Sequence, residues 1–313
     1  MNFAAVERIA NTVLFEGYIL YPYRASSTKN RQRWNFGTLY PQVYAKAQRP
    51  AESFRFVTEC LIRSHSPSTR LDLRVRFLQL VEPQHRADCA SSAQDWQHGI
   101  ERSHDVAGVS LSSLAADAVR IDFFIPEGSI DPAARGLSGR LNIVGTLLPN
   151  GYKLQLELTN TTPANGVSAR NRALLQSFSS AHILLALEDG EFISLLDPPE
   201  EFRSAANWCK NEGIFPVLVG DPGQHSMMLC SPIILYDYPQ VAPESEGDFF
   251  DGTEMDEMLA LRVLTLTDEE KREMLNDDRA RQILERTESL PQEHFMKVHG
   301  AIRGMRRVGE DGV

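Results

Sequence analysis

Four side chains able to bind a metal fall between residues 85 and 104 of this 313-residue chain: His85, Cys89, His98 and His104, in HRADCASSAQDWQHGIERSH. Three imidazoles and a thiol suit zinc or nickel chemically. Their H-x3-C-x8-H-x5-H spacing matches no ligand pattern of structural zinc sites, so the passage reads as a polar loop without bound metal. A second set, Cys209, His225 and Cys230, is spread through a strand-rich stretch and reads as core. No G-x-S-x-G elbow, H-E-x-x-H helix or G-x-G-x-x-G turn occurs, so no catalytic residue, metal or cofactor is assigned. Two alternatives stay open: a metal carrier using the His85–His104 loop, and an enzyme with a dispersed site.

Recognition chemistry is concentrated elsewhere. From Gly17 to Ala51 the chain carries six bases (Arg24, Lys29, Arg31, Arg33, Lys46, Arg49), no acid, and five of its eight tyrosines. Arg, Tyr and Trp dominate binding hot spots because they combine contact area with charge or hydrogen bonding. Tyr21-Pro22-Tyr23 resists regular helix and ASSTKN reads as loop, an irregular scaffold of the kind on which binding residues gather. The candidate partner contacts are Tyr21, Tyr23, Arg24, Lys29, Arg31, Arg33 and Trp34. The competing reading makes the aromatics core and the bases a solvated rim. The segment lacks the glycine spacing of a phosphate-binding loop.

The stretch VLFEGYILYPYRASSTKNRQRWNFGTLYP (13–41) resembles the opening of an uncharacterised bacterial family encoded beside high-affinity nickel–iron uptake hydrogenases. SFSSAHILLALEDGEFISLLDPP (177–199) resembles the same family. The resemblance implies an accessory role in hydrogenase maturation or assembly, with a hydrogenase subunit or maturation factor as protein partner. It carries over no catalytic residue.

The elements that must position these residues are mostly strands. TRLDLRVRFLQLVE (69–82) places Leu71, Leu73, Val75 and Phe77 on one face and charged residues on the other, which predicts a half-exposed antiparallel strand. SFRFVTECLI (53–62) and AVRIDFFIP (118–126) are also strand-like, and RLNIVGTLLPNGYKLQLELTNTT (140–162) reads as a hairpin turning at Asn150-Gly151. Farther on, two strands joined through Asp189-Gly190 precede a helix from Pro199 to a stop at Gly213. IFPVLVGD (214–221) and SPIILYDYP (231–239) return to strand. Residues 241–258 carry seven acids and no base. From Thr267, T-D-E-E is a capping box opening a helical tail, with a further helix expected over 290–307.

The expected fold is therefore α+β and β-rich, with mainly antiparallel, sandwich-like modules and a helical C-terminal tail. The expected divisions are residues 1–163, an antiparallel β-rich module; 164–243, a second β-rich module with one helix; and 244–313, an acidic linker and helical tail. A net charge of −10 argues against nucleic acid and anionic membrane as partners. No run of apolar residues is long enough for membrane insertion, and the opening residues do not read as a signal peptide, so a cytoplasmic location is expected. The function expected is that of a non-enzymatic accessory protein that binds another protein.

Overall fold

The computed structural model describes residues 3–24, 27–82, 97–164, 166–240, 256–275 and 277–291. Contacts divide the chain into two compact units, Met1–Tyr18 with Arg31–Val241, and Ile19–Asn30 with Ala242–Val313.

In the first unit, helices α1 (Glu7–Phe15) and α2 (Gln42–Ala47) precede strands β1 (Arg55–Ser64), β2 (Arg70–Val81) and β3 (His98–Ser110). Helix α3 (Leu111–Ala116) leads to β4 (Val119–Ile125), β5 (Leu137–Leu148) and β6 (Gly151–Asn160). Then follow α4 (Arg170–Leu174), β7 (Ser179–Glu188), β8 (Gly190–Ile193), α5 (Glu200–Asn207), β9 (Phe215–Leu218) and β10 (Met227–Ser231). They build two five-stranded sheets, β4-β5-β6-β1-β8 and β3-β2-β7-β10-β9, paired antiparallel throughout. The alternation of each strand sends one set of side chains into a shared core: Phe56 and Ile62 from β1, Leu71 to Phe77 from β2, Leu154 to Leu158 from β6, and Ile183 and Leu185 from β7. Each such leucine or phenylalanine contributes about 1.5–3 kcal/mol by leaving water. The product is the expected antiparallel sandwich. Strands from both sides of residue 163 share each sheet, because β7 lies between β2 and β10 while β8 pairs with β1.

The chain changes sheets at Asp189. This residue adopts a positive φ of 59°, and its carbonyl accepts from Thr69 Oγ1 at 2.7 Å and His65 N at 3.2 Å. The β5–β6 turn falls one residue earlier than expected, since Leu148 pairs with Gly151 and leaves Pro149 and Asn150 as the loop. Helix α5 stops at Asn207, well before Gly213. The last strand is MMLCS and not SPIILYDYP: Pro232 cannot donate a ladder hydrogen bond, so pairing ends at Ser231.

Strand β2 is not half-exposed. It is an interior strand of its sheet, between β3 and β7, and its charged face is occupied. Arg74 forks onto Asp105 at 2.7 and 2.8 Å, while Arg76 donates to Asn11 of α1 at 2.7 Å. Ala10 and Val13 of α1, with Val6 just before it, pack against Leu184, Val217 and Leu229 on the same face.

The second unit contains α6 (Asp256–Leu264), α7 (Asp268–Met274) and α8 (Asp278–Ser289). The capping box at α7 forms as expected, with Thr267 accepting from Glu270 N and Glu270 from Thr267 N. Asp277 caps α8 by accepting from Arg279 N and Ala280 N, and Lys271 joins α7 to α8 through Glu288 at 2.7 Å. The acidic run before α6 and the helix expected over 290–307 lie outside the described residues, apart from the start of α6 and residues 290–291. No described helix is long and apolar enough to cross a membrane.

Candidate functional site

The basic, aromatic segment divides between the two units. Its first part, residues 19–30, is a loop closed by one buried side chain. Asn30 accepts from Leu20 N at 2.8 Å and donates to Leu20 O at 2.8 Å and Arg24 O at 3.0 Å. An asparagine suits this closure because a single amide supplies both a donor and an acceptor. The loop then presents Arg24 to α7, with Nη2 at 3.1 Å from Glu270 and Nη1 at 3.9 Å from Glu273. Those two carboxylates lie three residues apart, hence on one helix face. Glu270 is held below the usual carboxylate range by the Thr267 hydrogen bonds and, secondarily, by Arg24. Tyr21 packs edge-on to Tyr23 at 6.0 Å and lies under the Arg262 guanidinium at 5.3 Å. Lys29 is exposed and opens a 3-10 turn that also contains Arg31.

The second part belongs to the sandwich unit. Arg33 spreads its guanidinium over Trp34 at 4.5 Å and Tyr18 at 5.1 Å and donates to Gln97 O at 2.5 Å. Arg170 holds the chain there by donating to Arg33 O and Asn35 Oδ1, both at 2.9 Å. Next, Leu39 exchanges backbone hydrogen bonds with Phe178, while Ser180 N and Ala181 N donate to Phe36 O and Gly37 O. The sequence stretches 13–41 and 177–199 are thus strapped together by four backbone hydrogen bonds.

Tyr23, Arg33 and Trp34 are buried, at 0%, 6% and 5% exposure. Tyr23 and Trp34 also take positive φ, 57° and 65°, a conformation costing bulky residues about 1–3 kcal/mol that persists only where surroundings enforce it. As placed, these three hold the fold, while Arg24 is part-exposed and Lys29 exposed. Sequence reading missed Asn30, Arg170, Glu270 and Glu273 as partners of the segment. Their positions lack a local signal, because Arg170 and the two glutamates act across more than a hundred residues of chain.

The metal-ligand set does not assemble. His98 and His104 both lie on β3, where six residues span about 20 Å, so the two imidazoles cannot share one ion with bonds near 2 Å. His98 Nε2 approaches Asp131 at 3.6 Å, and His104 stacks on Phe123 at 4.7 Å. His85 and Cys89 lie outside the described residues. In the second set, burial pushes the Cys230 thiol up to about 12 and the Cys209 thiol up to about 11, so both stay protonated at neutral pH. His225 Nδ1 lies 3.2 Å from Phe192 O. Compared with known proteins, the chain matches no family model and no curated protein.

Proposed function

We propose that this chain is a non-enzymatic accessory protein that binds another protein, in the maturation or assembly of a nickel–iron hydrogenase. The observation that carries the binding reading is the grip of Arg24 on Glu270 and Glu273. An arginine that spans two carboxylates on one helix face has the geometry to take an acidic helix of a partner, and Lys29 adds a second exposed positive charge. The partner's carboxylates replace the internal ones, so the exchange costs little, and salt weakens both contacts over a Debye length of about 8 Å. The hydrogenase assignment rests on the resemblance of residues 13–41 and 177–199.

Reversing the charges in Arg24→Glu/Lys29→Glu tests the surface. Interface arginines of hot-spot quality contribute about 2 kcal/mol or more, so partner affinity falls by about thirtyfold. The fold loses under about 1 kcal/mol, as expected for a part-exposed ion pair. Co-purification and thermal melting on the same preparations check both halves. A variant that keeps every partner, or one that unfolds, defeats the reading.

A further inference from the structure

Strand β3 is an edge of one sheet and β4 an edge of the other, and the stack of His104 on Phe123 joins them. Arg102 lies on β3, directly opposite Phe77 of β2, and is only 8% exposed. Its Nε donates to Gln79 Oε1 at 2.7 Å, and Gln79 in turn donates to Arg135 O at 2.5 Å. Its Nη2 is shut from solvent and makes no hydrogen bond. Among the described residues no carboxylate comes within 4.0 Å of it, in contrast to Arg74 and Arg76 on the neighbouring strand, which have Asp105 and Glu101. Burial therefore lowers the Arg102 pKa with no acid to offset it.

A guanidinium so placed is costly. Buried charges are ordinarily paired, and an unpaired one is a standing penalty that a hydrophobic residue of similar volume would remove. Among the described residues the one hydrogen bond the Arg102 side chain makes is to a neutral glutamine. The orphaned N–H is one arm of a planar fork whose geometry matches a carboxylate.

We propose that Arg102 anchors a binding site for a small carboxylate on edge strand β3 of the sandwich, separate from the surface around Arg24. The Arg102 fork holds the carboxylate oxygens, and Gln79 fixes the guanidinium.

The test is thermal unfolding of the full chain in acetate, benzoate, phosphate and chloride at one ionic strength, with Arg102→Met and Arg102→Lys alongside. The expected result is a saturable rise in melting temperature with benzoate and acetate beyond that in chloride, as ligand binding to the native state requires. Arg102→Met is expected to melt above the parent protein in chloride and to lose the carboxylate response. Arg102→Lys keeps charge but not the fork, and should move the midpoint concentration up by about tenfold. A parent protein indifferent to carboxylates, an equal response in Arg102→Met, or a methionine variant that melts lower in chloride would each overturn the proposal. A response to phosphate alone would overturn the carboxylate assignment as well.

Discussion

Acidifying this protein from pH 6.5 to pH 3 removes stability through His182 alone, by about 5 kcal/mol at the lower limit. His182 is fully buried on β7, beside Arg76 in the register. Burial first, and the Arg76 charge second, hold its imidazole down at about 3, against the opposing hydrogen bond to Ser180 O at 2.8 Å. The sign follows directly. The unfolded chain takes up a proton near pH 6.5 while the native state refuses it until about 3, so the unfolded state binds more protons throughout that window. Stability therefore falls as pH falls, with a slope of about 1.4 kcal/mol per unit. Carboxylates such as Asp105, held low by Arg74, add their own loss at the acid end. The contribution of His182 is isolated by difference. Denaturant unfolding of the parent and of His182→Asn, which retains a side-chain N–H for Ser180, should give curves that converge with acidification by that slope. Parallel curves would show that the imidazole does not titrate as described.

The second large effect is expected from Phe178→Ala. Phe178 is fully buried, stacked on Phe77 at 4.4 Å and 5.9 Å from Phe123. Removing a ring from such a site costs about 3–5 kcal/mol, since the cavity left behind collapses only in part. In a chain of this size that lowers the melting temperature by roughly 5–8 °C. The backbone strap to Leu39 survives, because its donors and acceptors are main-chain groups. Val43→Ala, at a site 60% exposed, is the control and should change stability by less than about 0.5 kcal/mol. Calorimetry of the two variants separates these outcomes, and equal melting temperatures would contradict the core placement.

Where the physics was local, the sequence was legible. Alternation alone located β2, β4 and the β5–β6 hairpin, and the T-D-E-E box placed the start of α7, because each signal sits within a few residues of its effect. Reading failed where a distant element decided the outcome. The charged face of β2 pointed to solvent until α1 covered it, although Val6, Ala10, Val13 and Leu14 already had the spacing of a buried helix face. SPIILYDYP has strand composition, yet pairing ends at Ser231, just before Pro232, which has no N–H to donate. The basic, aromatic segment stands out by its composition. Composition did not separate part-exposed Arg24 and exposed Lys29 from Arg33 and Trp34, which are buried.

The central claim is that this chain binds another protein in hydrogenase assembly, and the most direct measurement is affinity purification of the intact chain from its native cell, with identification of every co-eluting polypeptide. The account predicts a hydrogenase subunit or maturation factor in stoichiometric yield, released as salt rises and absent with Arg24→Glu/Lys29→Glu. Elution of the chain alone, or with partners unrelated to hydrogenase and indifferent to those substitutions, would contradict it.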